Sequence, residues 1–210
     1  MALKLAPLFM AVTAAAAHAQ SLTTNFGTLD KLLMMVGPAQ STEFSQKTRF
    51  DVYVLGTVGP VPLIGEALGA GVSQWADTPH EWGQGWNAYG RRYGSNLAYN
   101  AVRQTIAYGV SIPFREDNRY FGSRADGILP RAGYAVLSTF TARHPDGSRQ
   151  FSVSGVVSVL GAAGISSVWG PRSWKGAGNI AENAGISFAA TAGLNVVREF
   201  LPDLFHRPRK

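Results

Sequence analysis

The 210-residue chain contains no cysteine, little charge and no catalytic signature. Without cysteine there is no disulfide framework, no thiol nucleophile and no thiolate metal site. Charged residues make up only 15% of the chain and are scattered, apart from Arg91-Arg92 and the tail His206–Lys210. No basic stripe forms, so no nucleic-acid partner is expected. Long apolar runs are also missing. Only Phe151–Trp169 approaches the length of a membrane span, about 20 residues, and it contains five Ser and three Gly. The other apolar segments carry Glu66, Arg103 or Glu182 near their middles. Such charges are costly in lipid unless paired.

The usual constellations of catalysis are absent too. Beyond the leader the histidines are His80, His144 and His206, and no two share a helical spacing. His80-Glu81 lacks the second His of H-E-x-x-H, so a zinc protease is excluded. No Ser sits in G-x-S-x-G. Gly176-Ala177-Gly178 lacks the G-K-[ST] of a phosphate loop. No cofactor, no metal and no catalytic residue are therefore expected.

What is present begins with an address. MALKLAPLFMAVTAAAAHAQ has a basic start at Lys4, an apolar stretch from Leu5 to Ala17, and Ala17-His18-Ala19 as an A-x-A boundary. Residues 1–19 read as a secretory signal peptide. The Ala-rich style looks bacterial, which gives export through the inner membrane to the periplasm or outer membrane. Removal of Lys4 leaves 18 basic against 13 acidic residues, a net charge of +5. A mildly basic exported chain is drawn to anionic surfaces such as lipid head groups.

The rest reads as a flexible N-terminal arm at 20–41, one helical domain at 42–205 and a basic tail at 206–210. Phe44, Val52, Leu55 and Val58 can share a helical stripe, interrupted at Gly59-Pro60. Ile64, Leu68, Gly71, Val72 and Trp75 then form a clean helical face. A helix from the Trp82–Leu97 aromatics is expected to reach about Val110 and stop before Pro113. Further helices follow from Pro130, over Val153–Val168, and from about Asn179 to Leu201, broken by Pro202. The fold class is all-α, a compact Gly-rich multi-helix domain. Alternation around His144–Ser148 also allows a short β-hairpin near 140–153. A small outer-membrane barrel needs eight strands of about ten residues, and two or three candidates are present.

Small residues recur every four positions in four tracks. These are Gly65, Gly69, Ser73; Gly90, Gly94, Ala98; Ser154, Ser158, Ala162, Ser166; and Ala181, Gly185, Ala189, Gly193. Each puts a smooth strip on a helix, the small-xxx-small device that lets helices approach closely. The last segment, Val196–Phe205 with its basic tail, has the pattern of an interfacial anchor or of a packed terminal helix.

Candidate binding residues fall in two places. One is Glu81, Trp82, Trp86 and Tyr89, where aromatics can line a sugar or lipid site or a core seam. The other is the charged stretch REDNRYFGSRADG, residues 115–127, with Asp117, Arg119 and Tyr120. It reads as a polar connector in which Arg119 pairs with Glu116 or Asp117, and Tyr120-Phe121 pin the loop to helices.

Glu116-Asp117-Asn118-Arg119-Tyr120-Phe121 resembles the E-D-P-R-Y-F loop of a family of exported bacterial proteins of uncharacterised activity. Trp82–Tyr93, Arg131–Tyr134, Ala163–Ser166 and Arg198–Asp203 fit the same family, so the resemblance covers most of residues 50–205. Asn118 replaces the family's Pro. The resemblance implies export and a shared fold, and transfers no catalytic residue. Two functions stay open at this level. One is an envelope- or membrane-associated protein with a structural or interaction role, partnered by a membrane surface or an envelope protein. The other is a small periplasmic hydrolase or ligand-binding protein with its site between residues 81–93 and 115–124.

Overall fold

The computed structural model describes residues 37–39 and 45–204. The expected leader, the arm apart from 37–39, Phe44 and the basic tail lie outside the described residues. The domain is all-α with one small hairpin, as expected. Its elements are α1 (Gln46–Val58), α2 (Pro60–Trp75), α3 (Trp86–Phe114), α4 (Ile128–Leu137), β1 (Thr141–Arg143), β2 (Arg149–Phe151), α5 (Val153–Ser166) and α6 (Ala177–Leu204). Two 3-10 turns, His80–Trp82 and Arg172–Trp174, precede the two longest helices.

The caps are legible in the chain. Ser45 accepts from the Thr48 amide ahead of α1, and Ser152 accepts from the Gly155 amide ahead of α5. Pro60 opens α2, where its missing N–H costs nothing. β1 and β2 pair antiparallel, with Ala142 opposite Gln150, around a turn at Gly147 in the left-handed region.

Three expectations are corrected. Pro113 and Pro202 do not stop their helices; each lies inside a last turn, where one backbone bond is lost and the helix runs on two residues or less. Gly59 is extended (φ −71°, ψ 169°) and separates α1 from α2, as expected. It is Gln46–Trp75, rather than Phe151–Trp169, that is long and apolar enough to cross a membrane by length and composition, and only 17% of its most apolar window is buried. The apolar stripe on α1 is not the inward one: Val54 is buried and Val52 is exposed.

The largest surprise is what faces inward. α5 lies against α3, which carries α1 and α2 on another side; α6 packs on α5 and α4. The third small-residue track, Ser154, Ser158, Ala162 and Ser166, is wholly buried in this contact. The fully buried positions are mostly Ala and Ser, with Arg92, Glu116 and Glu199 among the largest. Large apolar side chains point out instead. On α2, Ile64, Leu68 and Val72 are exposed and Trp75 is 88% exposed. On α5, Val157, Leu160 and Ile165 are also exposed. Phe151–Trp169 is thus neither buried nor bare: its small face is inside and its large face outside.

Candidate functional site

α3 has 29 residues, about 43 Å at 1.5 Å per residue. The two groups of candidate residues sit at its opposite ends, so the structure does not bring Glu81 together with Asp117 and Arg119.

At the C-terminal end, Arg115 adopts a left-handed conformation (φ 52°) and turns the chain back on itself. Glu116 is thereby driven under the first turn of α5. Its carboxylate accepts from the Val153 and Ser154 amides, both at 2.8 Å, and from the Ser152 and Ser154 hydroxyls. An anion at a helix N-terminus, met by free amides, is stabilised by both hydrogen bonds and the helix dipole. Arg49 of α1 holds the same turn from below. Its guanidinium donates to the carbonyls of Ser111 (3.2 Å) and Glu116 (2.9 Å).

The next residues divide differently from the sequence reading. Adjacent Glu116 and Asp117 point apart. Asp117 takes Arg119 in a two-point pair, with Nη2 at 2.7 Å and Nε at 3.0–3.1 Å. Its backbone bonds to Arg143 on β1, with N···O distances of 2.8 and 3.0 Å. Phe121 lies between the Arg119 and Arg143 guanidinium groups, 5.5 and 4.7 Å from the ring centre. Tyr120 reaches the far helix, where its hydroxyl donates to Glu199 of α6 at 2.7 Å. Glu199 is fully buried. It also accepts from the Ser123 amide (3.0 Å) and from Arg131 Nε (2.9 Å). Arg131 in turn bridges to Asp203 at 2.6 Å. Burial, then the hydrogen bond and charge of Glu199, push the Tyr120 hydroxyl far above its usual range. The segments 116–121, 131–134 and 198–203 meet in this one knot.

At the N-terminal end of α3, buried Arg92 holds the loop before its own helix. It donates to the carbonyls of Thr78 (2.8 Å), Gly83 (2.8 Å) and Pro79 (3.1 Å), and to Gln74. Glu81 is exposed and accepts from the Ser173 amide at 3.2 Å. Trp82 packs on Trp174 with ring centres 5.5 Å apart. Trp86 is almost bare, with only its edge on Tyr89, and Tyr89 stacks on Tyr93 and donates to the Ala67 carbonyl. Trp82, Trp169, Gly90, Gly94, Ser95 and Ala98, with Arg91, line a shallow open groove of about 400 Å³. It holds one ionisable side chain and no acid–base pair.

Arg49, Arg92, Arg131 and Glu199 were not picked out by the sequence as structural charges. Nothing local marks them, because their partners lie elsewhere along the chain or are main-chain carbonyls. Each is saturated by protein groups, which fits anchors and leaves no free face for a substrate. Among the described residues no group of three His, Asp or Glu side chains could hold a metal ion.

Glu66 of α2 makes no ion pair among the described residues.

Compared with models of protein families, with curated proteins and with solved structures, the chain gives no match.

Proposed function

We propose that the chain works in the bacterial cell envelope as a membrane-associated helical protein with a structural or interaction role. The observation that carries this reading is the inverted partition of side chains. A protein surrounded only by water rarely shows large contiguous apolar patches. Here Ile64, Leu68, Val72 and Trp75 make one uninterrupted exposed face on α2, and Trp86 stands beside its end. α4 adds Leu129, 84% exposed, and Ile128. Meanwhile Ala, Ser and satisfied ionic knots fill the interior. Small residues between helices and large ones outside is the pattern that helices adopt against lipid. Indoles such as Trp75 and Trp86 suit the boundary between lipid and water. The leader expected at residues 1–19 and the net basic charge agree with this placement.

Fractionation of a host that exports the chain tests it. The protein is expected in the membrane fraction, resisting a high-salt wash because the contact is apolar. Leu68→Glu with Trp75→Glu changes two exposed positions. This double variant is expected to keep its helical circular dichroism and move to the soluble fraction. Recovery of the unmodified chain wholly in the soluble periplasm would overturn the reading.

A further inference from the structure

The long elements lie side by side and alternate in direction. α1 and α2 run antiparallel to α3 along its whole length: Arg49 bonds Ser111, Asn100 bonds Gly56, Tyr89 bonds Ala67 and Gln74 bonds Gly85. α5 is also antiparallel to α3, with Ser154 at Glu116 and Trp169 at Ser95. α6 runs parallel to α3, with Tyr99 bonded to Ser187 at 2.7 Å and Tyr120 to Glu199. The chain therefore passes four times between two ends. Large apolar side chains stand exposed on three of these passes. They are Ile64, Leu68 and Val72 on α2, Val157, Leu160 and Ile165 on α5, and Ile186, Leu194 and Val197 on α6. α2 and α5 pack on different sides of α3, so no single flat surface covers all of them.

Between the two ends lies a belt almost free of charge. Residues 93–111 of α3, about 28 Å at 1.5 Å per residue, carry only Arg103. Residues 183–197 of α6 and all of α5 carry no charge, and residues 52–75 carry only Glu66. These two charges are opposite, partly buried and close enough to act on each other, which is the condition for keeping charge at membrane depth. Charged residues gather beyond the belt, with Asp77, Glu81 and Lys175 at one end and Glu116, Asp126 and Asp146 at the other. The belt has nearly the thickness of a bilayer's hydrocarbon core, about 30 Å. All five tryptophans sit at the end where α3 begins. Trp75 closes α2, Trp86 opens α3, Trp82 packs on Trp174, and Trp169 bonds Ser95. Indoles collect in this way at a lipid–water boundary.

The break in the first rod is repaired as a membrane requires. Pro60 has no N–H to give to the Gly56 carbonyl, four residues earlier. Asn100 and Gln104 of α3 donate to that carbonyl instead, at 2.9 and 3.1 Å, and Asn100 is buried. Water would satisfy such a carbonyl on an exposed rod. In hydrocarbon the partner has to come from a neighbouring helix. These amides also show why residues 46–75 alone are apolar enough to stand out as a span. α3 spends part of its composition on polar groups that serve its neighbours, Asn96 donating to the Glu66 carbonyl as well.

We propose that the domain spans the bilayer, its four passes crossing the hydrocarbon core and its two charged ends standing on opposite sides. This rests on the membrane reading above and takes it from contact to crossing. α4, with Ile128, Leu129 and Leu137 exposed, then lies at the interface of the end away from the tryptophans. The passes are weakly apolar, so an exported chain clears the inner-membrane channel and inserts afterwards. Glutamates at Leu68 and Trp75 block that insertion, so release of the double variant is expected of a crossing domain too.

A chain without cysteine makes the test direct. Lys175→Cys and Gln150→Cys mark the two ends at exposed positions. In sealed membrane vesicles of one orientation, a membrane-impermeant maleimide is expected to label one of them at once and the other only after the vesicles are opened. Leu68→Cys, Leu160→Cys and Leu194→Cys, on α2, α5 and α6, should resist the reagent in both conditions, and alkaline carbonate should leave the protein in the membrane pellet. Any result that places both end cysteines on the same side overturns the crossing and leaves the membrane reading standing. So does labelling of Leu160→Cys and Leu194→Cys while Leu68→Cys is protected, which would mean a chain lying on one face. Recovery of the unmodified chain in the soluble fraction overturns both.

Discussion

Glu199→Ala is expected to destabilise the fold by about 3–5 kcal/mol, the usual consequence of removing one partner from a buried charged network. That is a large part of the roughly 5–15 kcal/mol that holds a domain together. The reason lies in what remains. The Tyr120 hydroxyl, the Ser123 amide and the Arg131 guanidinium all converge on the Glu199 carboxylate. Deleting it leaves the buried Tyr120 hydroxyl and Ser123 amide without this acceptor, and takes from the nearly buried Arg131 one of its two carboxylate partners, Asp203 being the other. Tyr120→Phe removes only one donor and leaves the carboxylate two others. It is expected to cost about 1 kcal/mol. Denaturant unfolding of the two variants measures both values. Equal, small losses from both would mean that Glu199 is not the hub.

The second large effect is expected from Glu116→Ala, at about 3 kcal/mol or more. The side chain is 1% exposed and takes two amides and two hydroxyls at the start of α5. Its loss leaves those amides unpaired beneath the loop and removes the negative charge from the helix N-terminus. The damage should be local as well as global. Hydrogen exchange at Val153 and Ser154 is expected to accelerate more than at Ala184 in α6. Glu116→Gln keeps one acceptor oxygen and should lie between. Uniform acceleration across the domain would argue against a capping role.

Helix content was readable in the chain because a 3.6-residue period survives whatever surrounds it. The hairpin was readable because Pro145-Asp146-Gly147 admits little but a turn. Direction of burial was not. The stripe Ile64, Leu68, Val72 and Trp75 has the spacing of an inward face, and on α2 it points outward. If that face meets lipid, as proposed, hydrophobicity no longer tells inside from outside. The Ser154–Ser166 track carried the better signal, since only small side chains let α3 and α5 lie so close. The charged loop illustrates a second limit. Its Asp117–Arg119 pair is local and was foreseen as one of two options. The Glu116 and Tyr120 partners lie 38 and 79 residues away, and no local pattern announces them. A pocket joining residues 81–93 to 115–124 fails for a geometric reason: one unbroken helix lies between most of the first segment and the second.

The interior of Ala and Ser has a thermodynamic consequence. The heat-capacity change of unfolding follows mainly the apolar area exposed, and polar area subtracts from it. Opening a seam of methyls and hydroxyls exposes little of the first and a fair share of the second. The stability curve of this domain should therefore be shallow. It owes its melting point to hydrogen-bonded knots at the two ends of α3 more than to an oily centre, and cooling should weaken it less than an ordinary globular protein of its length.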